Sequence, residues 1–337
     1  MSAPTSFPPK APKRAVDSDS RQLAGVLLEM AGLGKPAEIR PLGRHSNAHY
    51  LIRGGDGGRY VLRRFKENPP PHSARVRCER ECWIYEQLAV TGAPVPRLLA
   101  ASTEPGAQAM LTAYVEGDHL GTIVPRLPND RAASAWSSCG RTLAAVHAID
   151  GRRAAAAGCE RVGIEHPAAS RGPWHYEEAL SYLEHLAIAR PDVGSLSELA
   201  AAVNDALPLY RRAPLVLCQY DAHLWQFLVA HDSQGQWRCT AILDWEHADL
   251  DDPDWDLAQL DGFRFAPVGA VPGDFFAGYG RTPASPLYTL YRLERAAWIL
   301  SRHASGGHDW LALSVPLAEQ LIRGLLARPD ELREQIR

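Results

Sequence analysis

The sequence predicts an α+β protein in which a strand-rich first part precedes a mostly helical second part. Short segments with alternating apolar residues and glycine turns fill the region before Gly117. After it, long segments rich in Ala and Leu have helical spacing. Between residues 217 and 258, two strand-like apolar runs interrupt these helices. We expect a disordered tail over 1–20, a small lobe over 21–117 and a helical lobe over 118–337.

In the first part, a helix is expected over residues 20–33, where apolar residues recur at helical spacing before two glycines. Three short strands follow, Glu38–Arg40, His49–Ile52 and Tyr60–Arg63. The glycine-rich stretch Gly54–Gly58 predicts a hairpin turn between the last two. A helix over 72–91 and two further strands, Arg97–Ser102 and Ala109–Val115, complete a five-stranded antiparallel lobe with one intervening helix.

In the second part, five segments show helical spacing and are rich in Ala and Leu. They are 129–149, 175–190, 195–210, 284–304 and 308–328. The two apolar runs between residues 217 and 258 predict short hairpins embedded among these helices.

Composition and charge exclude several classes of protein. Of 337 residues, 46% are hydrophobic and 22% charged, with a net charge of −3. This balance gives no basic footprint for nucleic acid, and no apolar run reaches the length of a membrane span. The N-terminal tail lacks the apolar core of a signal peptide. Six scattered cysteines without a C-x-x-C pair indicate reduced thiols in a cytoplasmic protein, which we expect to be a monomer or homodimer.

The residues whose side chains could take part in catalysis or metal binding follow the two apolar runs. Leu215–Cys218 leads into Asp221, and Ala241–Leu243 leads into Asp244, while Gln226 lies five residues after the first aspartate. A carboxylate on such a loop can orient an alcohol and accept its proton while phosphate is transferred. A second carboxylate and an amide oxygen can hold Mg²⁺. Singly, each residue also fits a solvated turn or a strand start, whereas the combination favours the functional interpretation.

An acidic run without Lys or Arg follows the second aspartate. Its members are Glu246, Asp249, Asp251, Asp252, Asp254 and Asp256. We expect most of them on an acidic surface loop. Asp256 differs, because the apolar Leu257–Ala258 places it at the start of a buried segment. A buried carboxylate needs hydrogen-bond donors, so Asp256 is expected to brace the loop that carries Asp221.

Charged and polar residues of the first part suggest phosphate contacts. The turn Pro41–Asn47 is small and polar, so its backbone N–H groups can cover phosphates. Arg63 and Arg64 point to opposite faces of their strand, so at most one faces inward. An inward Arg63 could pair with nucleotide phosphates and with Glu81 on the next helix. The alternative is a pair of solvent-facing edge charges.

Two histidines of the second part are better explained by structure than by catalysis. His147 is expected to pack within its helix, and His223 to have a structural role in its loop. The sequence contains no Ser-His-Asp order and no H-E-x-x-H zinc motif.

Together these residues resemble the aminoglycoside phosphotransferase and choline kinase-like superfamily, which shares the bilobal protein-kinase fold. The family run H-G-D-x-H-x-x-N appears as Gln219–Gln226. The run I-D-W-E-x-A-x-x-x-D-P-x-x-D-L-A appears as Leu243–Ala258. Other matching pieces are Gly43 with Ser46–Asn47, Tyr60–Arg63, Glu81, Val95–Pro96, Tyr114–Gly117 and Leu143–His147. The resemblance covers residues 36 to 325.

The resemblance implies Mg²⁺ and ATP or GTP as cofactors, and it assigns roles by position. Asp221 would be the catalytic aspartate, with Gln226 and Asp244 as Mg²⁺ ligands. Arg63 would take the place of the usual strand lysine, with Glu81 as its partner. The remaining nucleotide-binding positions would be Ser46 and Asn47 in the turn and Thr112, Tyr114 and Val115 in the hinge.

Three positions depart from the family pattern. Gln219 stands where a histidine is usual, Gln226 replaces asparagine, and Arg63 replaces lysine. The maltokinase-like branch also carries glutamine at the second position, and arginine occurs in many family sequences at the third. Since a guanidinium is not a compact ammonium, the third change affects nucleotide affinity more than activity.

The implied function is Mg²⁺-dependent transfer of a γ-phosphate to a hydroxyl of a small molecule. The favoured acceptor is an antibiotic or related secondary metabolite, such as an aminoglycoside, nucleoside or peptide antibiotic, giving resistance or self-protection. The alternatives are a primary metabolite (sugar, amino alcohol or choline-like molecule) and a degenerate kinase that binds nucleotide without turnover.

Acceptor-binding residues are expected on the C-terminal helices. The candidates are Asp261, Tyr288, Tyr291, Glu294 and Trp298. If Asp261 and Glu294 line the pocket, a cationic acceptor is favoured, whereas a neutral aromatic pocket favours a nucleoside or sugar. The spacing of these residues fits a core-packing helix equally well.

Overall fold

The computed structural model describes residues 16–42, 47–67, 73–164, 171–262, 270–306 and 309–337. The chain divides into two compact units, Met1–Val90 with Val95–Val115 and Thr91–Pro94 with Glu116–Arg337. Most of the expected tail lies outside the described residues, although its last residues, from Ser18, belong to the first helix. No helix within the described ranges is both long and apolar enough to cross a membrane.

The first unit is built on one antiparallel sheet. Its elements are α1 (Ser18–Met30), β1 (Pro36–Pro41), β2 (Ala48–Gly54), β3 (Arg59–Arg64), α2 (Ala74–Ala89), β4 (Leu98–Ser102) and β5 (Ala109–Ala113). The strand order is β1-β2-β3-β5-β4, so the predicted five-stranded lobe is confirmed. Leu27 and Leu28 of α1 pack with Ile52, Leu62 and Leu111 of the sheet. Burial of these side chains holds the helix on one face of the sheet.

The second unit is mostly helical. It begins with β6 (Asp118–His119), α3 (Leu120–Ile123), α4 (Asn129–His147), α5 (Gly151–Ala156), α6 (Arg171–Ala189), α7 (Ser197–Asp205) and α8 (Leu207–Tyr210). It continues with β7 (Val216–Cys218), β8 (Phe227–His231), β9 (Trp237–Ile242), β10 (Asp249–Asp251), α9 (Pro253–Gly262), α10 (Gly273–Tyr279), α11 (Pro286–Ala304), α12 (Val315–Ala327) and α13 (Pro329–Ile336). In the described part of this unit, 3₁₀ turns lie between these elements at Val124–Arg126, Cys159–Val162, Pro191–Val193 and Asp309–Leu313.

Two small sheets position the loops that follow the apolar runs. β8 pairs with β9 and with β6, and β7 pairs with β10, which lies about thirty residues further along the chain. Of the two hairpins predicted between residues 217 and 258, one is present, β8–β9, whereas β7 pairs with the distant β10 instead of with its neighbour. Both apolar runs form strands that end shortly before the two aspartates, β7 at Cys218 before Asp221 and β9 at Ile242 before Asp244.

The helices pack closely around these sheets. α4 and α10 approach so near that a Cβ added to Gly140 would lie 2.1 Å from the Phe275 carbonyl oxygen. A Cβ on Gly278 would lie 2.0 Å from the Ser137 oxygen. These two glycines permit the backbone contact. α11 lies at the centre of a separate core, where Tyr291 packs with residues of α6, α8 and α9.

The observed helices include several that were not predicted, among them α5, α10 and α13, and three further differences have a clear physical cause. The segment expected over 195–210 is two helices, with Pro208 in the first turn of the second, where its missing N–H is tolerated. Likewise, the segment over 308–328 is a 3₁₀ turn followed by α12, which has Pro316 in its first turn. α9 was not predicted, because Pro253–Asp261 is buried on every side and shows no amphipathic spacing.

Candidate active site

The segment that carries Asp221 leaves β7 through an uncommon backbone conformation. Tyr220 has a φ of 70°, in the left-handed region that residues other than glycine rarely adopt. Such a residue costs about 1–3 kcal/mol and persists only where its surroundings hold it. The Gln219 N–H donates to Asp256 Oδ2 at 2.7 Å, and the Tyr220 N–H donates to Asp256 Oδ1 at 2.8 Å. Asp256 therefore braces the loop of Asp221, as predicted.

Asp256 is itself satisfied by a buried histidine. His147 Nε2 lies 3.1 Å from Asp256 Oδ2, and His147 Nδ1 lies 2.7 Å from the Tyr279 hydroxyl. A neutral imidazole satisfies both, with Nε2–H donating to the carboxylate and Nδ1 accepting from the hydroxyl. The prediction of a packed helix histidine is confirmed, since His147 is buried.

Asp256 and its neighbours His147 and Cys218 are residue types that often bind metal ions. His147, Cys218 and Asp256 offer ligand atoms within 4.8 Å of one another. However, both ring nitrogens and both carboxylate oxygens already make hydrogen bonds. Burial also raises the pKa of the Cys218 thiol, which keeps it protonated, whereas a metal binds the thiolate. The cluster is a structural support for the loop.

Asp221 itself is accessible. Its side chain is 40% exposed. The Gln226 amide nitrogen lies 3.5 Å from Asp221 Oδ2 and 3.1 Å from His223 Nε2. His223 Nδ1 accepts the Trp225 N–H at 3.2 Å, a contact that shapes the loop and agrees with the structural role expected for this histidine. The structure thus brings Asp221 and Gln226 together at one loop.

Asp244 follows the end of β9, at Ile242, in a second left-handed position. Its φ is 63°, and the side chain is half-buried. The Leu243 N–H donates to the Gln226 carbonyl oxygen at 2.8 Å, so the two aspartate loops share a backbone hydrogen bond. On the other side, Trp245 is fully buried and its indole N–H donates to the Ile242 oxygen at 3.0 Å. The Asp244 loop is therefore fixed at both ends.

The donor set of these loops suits a hard cation. Asp244 offers carboxylate oxygens and Gln226 an amide oxygen, and the carboxylate of Asp221 lies beside Gln226. Mg²⁺ prefers oxygen ligands and usually takes one or two carboxylates together with phosphate and water. Both carboxylates are partly exposed, so an ion could reach them from solvent. These residues fit the Mg²⁺ that the sequence implies.

In the first unit, the expected ion pair is formed. Arg63 Nη1 lies 3.0 Å from Glu81 Oε1, and both side chains are buried. The Tyr85 hydroxyl donates to the same Glu81 oxygen at 3.0 Å. Arg64 points to the other face of β3 and pairs with Asp17 at 3.2 Å. The solvent-facing alternative for Arg63 is therefore excluded.

The other expected nucleotide-binding residues differ in their surroundings. Ser46 lies outside the described residues. Asn47 is buried, and its Oδ1 accepts from the Lys66 N–H and from Arg77 Nη1, each at 3.2 Å. This carbonyl oxygen therefore ties the end of β3 to α2.

The expected hinge lies at the end of the first unit. Thr112 is buried within β5. The Tyr114 N–H donates to the Arg59 oxygen at 3.0 Å, and the Arg59 guanidinium lies 4.6 Å from the centre of the Tyr114 ring. Val115 is the last residue of the unit.

The acceptor candidates on the C-terminal helices already have partners within the protein. Asp261 is buried, with Arg292 Nε at 3.1 Å. Tyr291 is fully buried. Glu294 is 2% exposed and contacts a buried histidine. Trp298 is half-buried against the Arg295 guanidinium, 5.0 Å from its ring. These surroundings fit the core-packing alternative, and an acceptor role for the four stays a prediction.

Apart from Asp256, the acidic run was expected on a surface loop, and this is wrong. All six members are buried: Glu246, Asp249, Asp251, Asp252, Asp254 and Asp256. Cations and backbone N–H groups of the second unit provide the missing donors. Asp254 pairs with Arg281, and Asp251 pairs with His175 at 2.9 Å. Burial raises the pKa of Asp252 to about 7, so this carboxyl is partly protonated near neutral pH.

His175 is the residue that sequence reasoning missed. It is fully buried between Asp251 and Glu294. Burial alone would lower its pKa, but attraction to both carboxylates outweighs burial and raises the pKa to about 10. Its partners are 76 and 119 residues away in the sequence, so no local pattern could reveal the pairing.

The sequence comparison decides the family. Residues 38–293 match the phosphotransferase enzyme family. This chain is a member of that family. It is a phosphotransferase with an alcohol group as acceptor. No curated protein matches the chain.

Solved structures agree on the fold. The streptomycin–ATP complex of APH(2")-IIa is 13% identical with a TM-score of 0.59, covering 95% of this chain and 99% of that one. The macrolide 2'-phosphotransferase MphH from Brachybacterium faecium is 21% identical with a TM-score of 0.56, covering 88% and 97%. A choline/ethanolamine kinase family protein from Mesorhizobium loti is 19% identical with a TM-score of 0.58, covering 95% and 98%. The protein-kinase-like fold is thereby confirmed.

Proposed function

We propose that this phosphotransferase is a cytoplasmic, Mg²⁺-dependent kinase that transfers the γ-phosphate of ATP or GTP to a hydroxyl of a small molecule. The observation that carries the proposal is the arrangement of Asp221. Its carboxylate is 40% exposed on a braced loop and lies beside the Gln226 amide. That loop is joined to the loop of Asp244 by the hydrogen bond from the Leu243 N–H to the Gln226 carbonyl oxygen. Phosphoryl transfer requires mainly positioning and charge neutralisation, which such an arrangement can supply.

The roles follow from the chemistry of each side chain. Asp221 orients the acceptor hydroxyl and takes up its proton as the phosphate transfers. Asp244 and the Gln226 amide oxygen would hold Mg²⁺, which neutralises charge on the phosphates. In the first unit, the Glu81 carboxylate fixes the direction of Arg63, whose guanidinium would contact nucleotide phosphates.

The other nucleotide contacts are proposed by resemblance. Ser46 and Asn47 would cover the phosphates, and Thr112, Tyr114 and Val115 would hold the base. Asn47 can do so through its backbone, because its side-chain oxygen is occupied by two donors.

For the acceptor, we favour a neutral antibiotic or related secondary metabolite with sugar or nucleoside character. Asp261 and Glu294 would favour a cationic acceptor, but each already has a cationic partner, Arg292 and His175. Trp174, in contrast, is 37% exposed, and its ring lies 6.3 Å from that of Tyr220, next to the proposed base Asp221. An aromatic surface there supports stacking on a sugar or a planar ring.

The alternative acceptors are an aminoglycoside or peptide antibiotic and a primary metabolite such as a sugar, amino alcohol or choline-like molecule. Two of the neighbouring structures carry names of antibiotics, streptomycin and a macrolide, and the third is named a choline/ethanolamine kinase family protein. Among these alternatives, sugars are uncharged and could stack on the aromatic surface formed by Trp174 and Tyr220.

Phosphate transfer measured by mass spectrometry tests the proposal. The protein is incubated with Mg²⁺ and ATP or GTP against pooled nucleoside, macrolide, aminoglycoside and peptide antibiotics, sugars and amino alcohols. We expect one neutral acceptor to gain about 80 Da, one phosphoryl group. Asp221→Asn and Asp244→Asn should each lower the rate at least ~100-fold. Asp274→Asn, an exposed aspartate of the second unit, is the matched control.

The outcomes separate the alternatives. Transfer only to polycationic acceptors would contradict the acceptor assignment while leaving the kinase. Mg²⁺-dependent nucleotide binding without transfer to any acceptor and without slow hydrolysis would favour a degenerate kinase.

A further inference from the structure

Gln219 makes an unusual set of contacts for a residue that departs from the family pattern. It is 1% exposed. Its side-chain Oε1 accepts the N–H of Asp221 at 2.8 Å. Its Nε2 donates to the carbonyl oxygens of Asp244 at 2.7 Å and Leu243 at 3.3 Å. One amide group therefore contacts the backbone of both aspartate loops.

These bonds occupy the hydrogen-bonding groups of the Gln219 amide with backbone partners in the two loops. A primary amide has two N–H donors and one carbonyl oxygen, and here each has a backbone partner. The main chain of Gln219 is fixed as well, since its N–H donates to Asp256. A side chain anchored at its base and bonded at both ends of its amide cannot rotate without losing buried hydrogen bonds.

We propose that Gln219 is a positioning residue that sets the spacing between Asp221 and Asp244. The expected effect on catalysis rests on the proposed kinase function, whereas the hydrogen bonds of Gln219 are observed independently of it. Both aspartates have a left-handed residue at or beside them, with φ 70° at Tyr220 and 63° at Asp244. Strained loops of this kind relax when a neighbouring support is removed. Loss of the amide would let the two carboxylates move apart.

Three substitutions separate the donor and acceptor functions of the amide. Gln219→Met keeps the length and removes both. Gln219→Glu keeps an acceptor for the Asp221 N–H when ionised, but it then faces two carbonyl oxygens without a donor. Gln219→His supplies one donor and one acceptor while neutral, and it loses the acceptor once protonated.

The activities of the last two variants, each divided by the wild-type activity at the same pH, should therefore change in opposite directions. The ratio for Gln219→Glu should rise toward low pH, where its carboxylic acid can donate, and the ratio for Gln219→His should rise toward high pH, where its imidazole is neutral. The ionisable groups around the position are Asp221 and Asp244 on the two loops, Asp256 on α9, Cys218 on β7 and, beyond Asp256, His147 on α4. Wild type contains all of them and provides the reference profile.

The decisive experiment measures kcat, KM for the nucleotide, and hydrogen–deuterium exchange in the full chain. For Gln219→Met we expect kcat to fall about 10- to 100-fold with KM changed less than about threefold, because misplacement by about 1 Å affects transfer more than binding. Exchange should accelerate at the Asp221 N–H and in residues 243–248. Gln108→Met, a buried glutamine of the first unit, is the matched control and should change neither.

Each outcome decides the proposal. Unchanged kcat, unchanged exchange in either loop, or activity ratios of the Glu and His variants that change in the same direction with pH would overturn it. If wild type transfers phosphate to no acceptor, the proposed function fails. In that case, comparing hydrogen–deuterium exchange of the two loops between wild type and Gln219→Met still shows whether Gln219 holds them together.

Discussion

Replacing His175 with leucine is expected to destabilise the second unit by about 3–5 kcal/mol, the usual effect of removing one partner from a buried ion pair. His175 is fully buried, 2.9 Å from Asp251 Oδ2 and 3.1 Å from Glu294 Oε2. Its pKa of about 10, against 6.5 for a free histidine, corresponds to at most ~5 kcal/mol at 1.36 kcal/mol per pH unit. Burial raises the pKa of Glu294, which means that keeping this carboxylate ionised in the folded chain costs free energy. This cost offsets part of the stabilisation that comes from His175.

The pH dependence has a definite sign. Folding favours the protonated imidazole, because the pKa of His175 is higher in the folded chain than in the unfolded one. Its stabilising contribution is therefore complete below pH 6.5, decreases as the pH rises and is lost near pH 10. The difference in stability between wild type and variant should shrink by up to ~1.4 kcal/mol per pH unit between those values.

Urea denaturation followed by tryptophan fluorescence at several pH values between neutrality and pH 9 provides the measurement. His185→Leu on the same helix is the matched control, since His185 is exposed, and should change stability by less than ~0.5 kcal/mol. A loss below ~1 kcal/mol for His175→Leu at neutral pH, or a loss that grows with pH, would refute the ion-pair reasoning.

Three further predictions concern the supports of the second unit. Asp256→Asn replaces one of two acceptor oxygens with a donor, so kcat for phosphate transfer should fall at least ~10-fold with a smaller change in nucleotide KM. Gly140→Ala places a Cβ 2.1 Å from a backbone oxygen and should lower the thermal midpoint by several degrees, as for a loss of ~1–3 kcal/mol. Gly324→Ala, a helical position with no atom within 4 Å, should leave or raise the midpoint, and a similar loss in both would contradict the packing argument. Asp252→Asn removes a carboxyl whose pKa burial raises to about 7, so urea denaturation at pH 8 should show a gain of at most ~4 kcal/mol that vanishes toward pH 4. A gain that is unchanged or larger at pH 4 would show that ionisation of Asp252 is not its cause.

Much of the fold could be read from local patterns. The sheet of the first unit follows from alternating apolar residues and from the glycines of Gly54–Gly58. Arg63 and Glu81 could be paired in advance, because side-chain alternation leaves one inward position and the next helix offers one suitable carboxylate. Asp256 could be assigned to bracing for a similar reason, since its apolar neighbours required a buried carboxylate to find donors.

The two main errors have different causes, and neither could be detected in a local stretch of sequence. α9 was missed because a helix buried on every side has no amphipathic period. The acidic run was placed on the surface because composition alone suggests solvent, whereas partners such as Arg281 and His175 come from distant segments. Burial of a charge depends on those partners, and a local window cannot contain them.

The sequence by itself determined which residues are proposed for phosphate transfer, because Asp221, Gln226 and Asp244 follow short apolar runs at the spacing of the family motifs. Only the tertiary structure decided how these groups are held. Gln219, Asp256 and their partners join segments tens of residues apart through bonds between side chains and backbone. Such bonds depend on distances of about 3 Å in space, which local sequence patterns do not encode.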